Sequence, residues 1–410
     1  VNKISLRNIS LKNISDLTAL NITSFLKSQS YILPVILLFY NQNGLSVADY
    51  LYFQSILCFA ELIFGLPSGR LADRWQKKYV MLLSCFMLFT RYALWLFCKG
   101  YYIVLAGEIC YALYKCLFQC SAEGYIYQYL CDHKKERINL KKYGYFNYYA
   151  SIGTAISALL GAVIFKYTGI RVILCIQMLI VAASIFLLAK IEPVKVQPTT
   201  NRQSIRNIIA LCKQLKNTDL KFYILITSFF SALTILFVNS FQPLMQFGNV
   251  PIVLLGTVYF FNNITRAGTS LKADKIIKFI GLRKMAKLVN LLFAIMFIAM
   301  YVVLKNNLST YILPLLLAVC LTIAMQLCLH IGIVSYLQEN STISTRSTIS
   351  SVCNTSIRLI TTIVLFIGTS NVKDNGLITE VPTGLAVVVI LSGILCYLKD
   401  NAPVHNTAQE

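Results

Sequence analysis

Four polar residues interrupt a long apolar run between residues 101 and 130: Glu108, Lys115, Gln119 and Glu123. Their spacings of 7, 4 and 4 place them on roughly one stripe of an α-helix. That set supports two kinds of chemistry. A carboxylate withdrawn from water can take up and release a proton, and an ammonium can hold an acidic ligand. Glu61, in a neighbouring apolar run, and Glu123 are the proton-carrying candidates. A structural reading stays open beside these, with Lys115 paired to Glu108, Glu123 or Glu61. Lys27, Arg91, Arg266 and Arg358 also fall inside apolar runs. In the second half of the chain the polar candidates are milder: Asn239, Gln242, Gln326 and His330. A histidine there can titrate near neutral pH or hydrogen-bond a neighbour. Arg358 can pair an anionic ligand, and Arg91 and Arg266 can snorkel or brace helices.

The elements that must carry these residues are membrane spans. The chain has 410 residues, of which 57% are hydrophobic and only 13% charged. A soluble protein carries about 25% charged residues, and the mean hydropathy is +0.66. Runs of about 20 apolar residues read as transmembrane helices. Twelve are expected, near 20–40, 47–69, 79–98, 101–130, 144–165, 172–189, 220–246, 251–271, 284–304, 309–338, 345–369 and 382–398. A charge near mid-bilayer costs about 2.5–3.5 kcal/mol on insertion scales. The intramembrane charges must therefore face a cavity, pair, or reach an interface.

Orientation follows from the basic residues. With the N-terminus inside, 27 of the 37 lysines and arginines fall on inward segments and 5 on outward ones, so both termini are expected in the cytoplasm. This also accounts for the net charge of +21 without a nucleic-acid partner. Residues 1–19 are basic and polar, so no cleavable signal peptide is expected and the first span is retained. The thirteen cysteines lie scattered through apolar runs without a CxxC pair, which reads as packing rather than metal or redox chemistry. A polar break divides the chain into a bundle at 1–189, a linker at 190–219 and a second bundle with a short tail at 220–410. Within the linker, Ile205, Ile208, Ile209, Cys212 and Leu215 follow helical spacing, as in an amphipathic helix on the cytoplasmic membrane surface.

Between the second and third spans lies the polar stretch "GLPSGRLADRWQKK". Gly69, Leu71, Ala72, Asp73, Arg74, Lys77 and Lys78 fit the pattern G-x-L-A-D-R-x-G-R-K, and "SLKADKIIK", with Asp274, repeats it between the eighth and ninth spans. This resembles the signature loop of the major facilitator superfamily, over almost the whole chain. The resemblance implies an all-α fold of twelve transmembrane helices in two pseudo-symmetric six-helix bundles. It also implies that spans one, four, seven and ten line a central cavity, and that the loop latches the two halves on the cytoplasmic side. Asp73 and Arg74 are the latch candidates, with the Ser- and Thr-rich start of span eleven as the receiving helix N-terminus. Gln76 stands where glycine is usual and Lys77 where arginine is usual. "QCSAEGYIYQ" is similar to S-G-[ST]-x-E-A-x-L-Y-D of bacterial drug-efflux-like and uncharacterised members, with Gln128 in place of the aspartate. Span five keeps the small residues Gly153, Ser157, Ala158, Gly161 and Ala162 of the family's antiporter motif but lacks its proline.

The resemblance implies secondary active transport of a small molecule by alternating access, with proton coupling and a slight preference for export of an amphipathic compound. The alternatives are proton-linked import of a nutrient such as an amino acid or siderophore, and a non-transporting membrane sensor or scaffold. No G-x-x-x-x-G-K-[ST] loop for ATP, no Ser–His–Asp set and no metal or cofactor constellation is visible, so an enzyme is not expected. The expected setting is the cytoplasmic (inner) membrane of a bacterium. The expected partners are the lipid bilayer, a small-molecule substrate and protons, with the protein itself a monomer.

Overall fold

The first span carries Pro34, which has no N–H to give, after the polar run Ser28-Gln29-Ser30. A continuous helix over 20–40 is therefore not what forms. The computed structural model describes residues 16–132, 139–193, 220–339, 346–370 and 380–397. It divides the first span into α1 (Asp16–Ser28), a 3-10 turn (Leu33–Val35) and α2 (Ile36–Gln42). There follow α3 (Val47–Arg74), α4 (Lys77–Phe97), α5 (Tyr101–Asp132), α6 (Asn139–Thr168) and α7 (Ile170–Lys190). The second half gives α8 (Leu220–Phe247), α9 (Ile252–Ile280), α10 (Leu282–Lys305), α11 (Ile312–Glu339), α12 (Arg346–Ser370) and α13 (Glu380–Tyr397). All regular structure among the described residues is helical. The amphipathic helix expected within 190–219 lies, from residue 194, outside the described residues.

Among the described residues, nine helical stretches are long and apolar enough to cross a membrane. Two shorter apolar helices, Cys353–Ile367 and Thr383–Leu395, and the more charged α9 occupy the remaining expected positions. The fold is all-α, with helices at each of the twelve positions the apolar runs predict. Local chemistry sets the ends. Ser46 caps α3 in a reciprocal pair with Asp49, each side chain bonded to the other's backbone N–H. Gly169 and Gly281, at φ +77° and +81°, make the tight turns into α7 and α10.

The motif stretch is mostly helix rather than loop. α3 runs through Pro67 and Gly69 to Arg74, and only Trp75 and Gln76 separate it from α4. Ala72 anchors this extension by packing with Val80 and Leu117. A Cβ on Gly69 would meet nothing within 4 Å, so no close helix approach is made there. The second copy lies wholly inside α9. Ala72 and Ala273 occupy the same place in the two copies, and each is 2% exposed.

By packing, the chain forms two compact units: Val1–Thr200 with Gln242–Gly268, and Asn201–Phe241 with Thr269–Glu410. In the first, α5 packs on α3 and α4, α1 packs on α6 and α7, and α4 packs on α7. The break in the first span is enclosed by polar side chains. Ser30 N–H donates to Ser157 Oγ at 2.8 Å, Thr154 Oγ1 donates to the Ser28 carbonyl at 3.0 Å, and Gln177 Nε2 donates to the Gln29 carbonyl at 3.0 Å. Gln242 completes the set: its Oε1 accepts from Leu37 N–H at 2.7 Å and its Nε2 donates to the Leu33 carbonyl. An unsatisfied backbone group in hydrocarbon costs several kcal/mol, so these four side chains make the break tenable.

The small residues of α6 let this happen. Gly153 lies against the Phe25 carbonyl and Gly161 against the Tyr31 carbonyl, where a Cβ would collide with backbone. In the second unit, α10 packs on α11 and α13. Phe237 stacks on Phe293 and Phe297 with centroids 5.9 and 4.2 Å apart, and Asn290 Nδ2 donates to Ser392 Oγ at 2.8 Å.

Gly161→Val is expected to lower the thermal midpoint of the detergent-solubilised protein, by overpacking worth about 1–3 kcal/mol. Gly65→Ala, placed where a Cβ meets nothing within 4 Å, is the control and leaves the midpoint unchanged or raised. An unchanged midpoint in Gly161→Val would show that α6 does not seat the break.

Candidate functional site

The polar stripe on α5 divides between two environments. Seven residues along a helix are about 10 Å of rise, enough to change which helix lies opposite. Glu108 is 0% exposed and faces α4 and α2. Its Oε1 accepts from Tyr40 Oη at 2.6 Å and from Arg91 at 3.0 Å. The Arg91 guanidinium lies between the rings of Trp95 and Tyr111, 4.1 and 4.0 Å from their centroids. Arg91 thus braces helices with Glu108 and does not snorkel. Glu108 Oε2 and Arg91 Nε make no hydrogen bond among the described residues.

One stripe-length further, Lys115 pairs with Glu61 of α3. Of the acids open to it from the sequence, Glu108 is taken by Arg91, and the described partner is the one on another helix. The pair is not sealed: the Lys115 side chain is 41% exposed and that of Glu61 10%. Gln119, one turn on, is exposed, although it lies in the interior of a span-length helix. Glu123 is helical in α5, but its side chain lies outside the described residues.

Lys27 comes from α1, near the middle of the Asp16–Gln42 span. Its ammonium sits 4.2 Å from the Phe118 ring centroid, 5.7 Å from that of Phe146 and 5.9 Å from that of Tyr114. α5 supplies two of these rings and α6 the third. Lys27, Glu61 and Lys115 therefore belong to one unit, with α5 as the common wall, while Glu108 belongs to the buried Arg91 cluster.

The gating residues are partly described. Asp73 and Asp274 are helical, but their side chains, and the expected receiving segment before α12, lie outside the described residues. Lys77 lays its chain against Gly124 and donates from Nζ to Gln128 Oε1 at 2.8 Å. Lys78 donates to the Ala189 carbonyl at 2.8 Å. Arg74 is exposed at the end of α3. Gln128 is neutral, so Lys77 makes a hydrogen bond in which only the donor is charged, rather than an ion pair.

In the second unit His330 Nδ1 and Thr227 Oγ1 are hydrogen-bonded at 2.8 Å. Gln326 is 6% exposed, and Arg358 is half-buried on α12. Gln242, one of the cavity candidates, bonds the backbone of the first span through both of its amide atoms. Tyr40, Tyr111, Tyr114, Phe118 and Phe146 carried no signal in the sequence, because aromatic residues are spread through every apolar run. Among the described residues no group of His, Cys, Asp or Glu could hold a metal ion.

Arg91→Met alone should cost about 3–5 kcal/mol by leaving Glu108 buried and unpaired, read as loss of monodisperse protein after extraction. Arg91→Met with Glu108→Gln should recover most of the loss, since the amide still accepts from Tyr40. A double variant as unstable as the single would show that the pair is not the source of the cost.

The Major Facilitator Superfamily model matches residues 18–365. No curated protein matches the chain by sequence. Solved structures similar to it include the nucleoside transporter NupG, at TM-score 0.70 and 12% identity, covering 93% of this chain and 98% of that one. A POT family transporter in complex with a thioalcohol conjugated peptide is similar at TM-score 0.72 and 13% identity, covering 93% and 95%. The D-xylose-proton symporter is similar at TM-score 0.70 and 12% identity, covering 92% and 96%. At these identities the likeness is one of fold. With the family model spanning most of the chain and every helix position filled, the protein is an integral membrane transporter rather than an enzyme, and it belongs to the major facilitator superfamily.

Proposed function

We propose that the protein moves a small organic solute by alternating access and couples that movement to protons through Glu61 and Lys115. The observation that carries this is their ion pair, placed inside span-length helices and left partly open on the lysine side. A sealed pair such as Arg91–Glu108 serves packing. An open one can exchange its partner. Protonation of Glu61 removes the charge that holds Lys115, and deprotonation restores it.

The drug-efflux-like resemblance in α5 supports export of an amphipathic compound. The charge arrangement favours uptake, the other direction expected from the sequence. If an acidic solute takes the place of Glu61 on Lys115, solute and proton bind together, and a proton gradient directed into the cell drives accumulation. The similar fold of the D-xylose-proton symporter accords with coupling of this kind. We place the protein as a monomer in the cytoplasmic membrane of a bacterium with both termini inside, on the strength of the basic residues that flank the spans on one side.

Purified protein in proteoliposomes, with an acidic exterior and a pH dye inside, should show solute-dependent proton entry. Glu61→Gln should abolish gradient-driven accumulation while keeping solute counterflow. Coupling that survives in Glu61→Gln removes Glu61 from the mechanism, and the same assay on Glu123→Gln then tests the other proton-carrying candidate.

A further inference from the structure

Away from the helix ends, the described spans of α1, α4 and α5 hold Lys27, Arg91 and Lys115, and two of these have acids. Arg91 has Glu108, and Lys115 has Glu61. Lys27 has neither an acid nor a hydrogen bond among the described residues; it meets three ring faces, with the buried Cys85 thiol of α4 nearby. Ring faces favour a cation, but they leave its charge uncancelled. Lys115 lies on the neighbouring ring: its Nζ is 5.7 Å from the Tyr111 centroid, Tyr111 stacks on Tyr114 at 5.8 Å, and Lys27 Nζ is 5.9 Å from Tyr114. Among the described side chains, the cluster of Lys27, Lys115 and Glu61 therefore carries an excess of one positive charge in a segment that spans the membrane.

The surroundings narrow what could cancel it. Tyr111 stacks on Tyr114 at 5.8 Å, Tyr114 meets Phe118 at 6.0 Å, and Phe118 stacks on Phe146 at 6.3 Å with planes 10° apart. A row of rings thus leads along α5 between the turn that carries Lys115 and the ammonium of Lys27. A bare inorganic anion would meet mostly ring walls and lose its hydration with few donors to replace it. A cation would be repelled. An organic carboxylate with a flat apolar body satisfies both features, its charge on the ammonium and its body against the rings.

Resting on the transporter reading above, we propose that this site takes an aromatic carboxylate, held at its acid group by Lys27 and along its ring by Tyr114 and Phe118. Lys115, freed when Glu61 is protonated, supplies the second cation. This ties the solute's charge to the proton that travels with it.

The test uses the full-length protein in nanodiscs for binding and in proteoliposomes for flux. The probes are phenylacetate, benzoate and indole-3-acetate, with their amides and the matching amines. At least one carboxylate should bind at least tenfold more tightly than its amide or amine. Lys27→Gln should lose that preference at least tenfold, and Lys27→Arg should retain more of it. Phe118→Leu should weaken the aromatic acids more than acetate. Carboxylate binding that depends on Lys27 but gives no flux would uphold the site and sink the transport reading. Flux of amides or amines that is indifferent to Lys27→Gln would do the reverse. Failure of every carboxylate in the panel to bind the folded protein overturns the inference.

Discussion

A membrane span must satisfy its own backbone, because hydrocarbon offers no hydrogen bonds. The first span does not do so alone. It breaks between Ser28 and Ile36, and side chains from three other helices take up the groups set free. Much of the first unit follows from that requirement. α6 must come close, so it presents Gly153 and Gly161 at the contact. Thr154 and Ser157 must reach the break, so they sit on the same face of α6 as those glycines. Gln242 must stay where both of its amide atoms bond backbone, which fixes the end of α8 within the first unit.

The charges obey a second rule, that burial demands pairing. It sorts residues that look alike in the sequence. Glu108 and Glu61 are both acids in apolar runs, yet one is enclosed by Tyr40 and Arg91 and the other shares a partly open lysine. The difference lies in what crosses α5 at each height. The turn that carries Glu108 meets α4 and α2, and the turn that carries Lys115 meets α3.

This marks the boundary of what was legible. Apolar run length located the spans among the described residues, and the small residues of α6 announced close packing, because both signals are local. The repeated Ala-Asp pair announced a duplication, and the burial of Ala72 and Ala273 is alike in both copies. Helical periodicity placed Glu108 and Lys115 on one stripe, but periodicity reports azimuth and not the neighbour at a given depth. The partners Arg91 and Glu61 are therefore products of the tertiary fold. The break in the first span was readable from Pro34 and the polar residues before it, and was masked by the apolar residues on either side. The ring contacts of Lys27 had no sequence signal, since no spacing rule links α1 to α5 or α6.

Lys27 and Tyr40 lie on opposite sides of that break. A continuous helix would couple them rigidly, turning together about one axis. Divided, the span behaves as two levers on a shared pivot. The first lever, α1, ends in the ammonium among the rings, and the second, α2, ends in the phenol bonded to Glu108. Without a continuous helical ladder between them, the two levers are braced by the turn at Leu33–Val35 and by the side bonds of Thr154, Ser157, Gln177 and Gln242, so part of the stiffness of the span resides in four residues outside it.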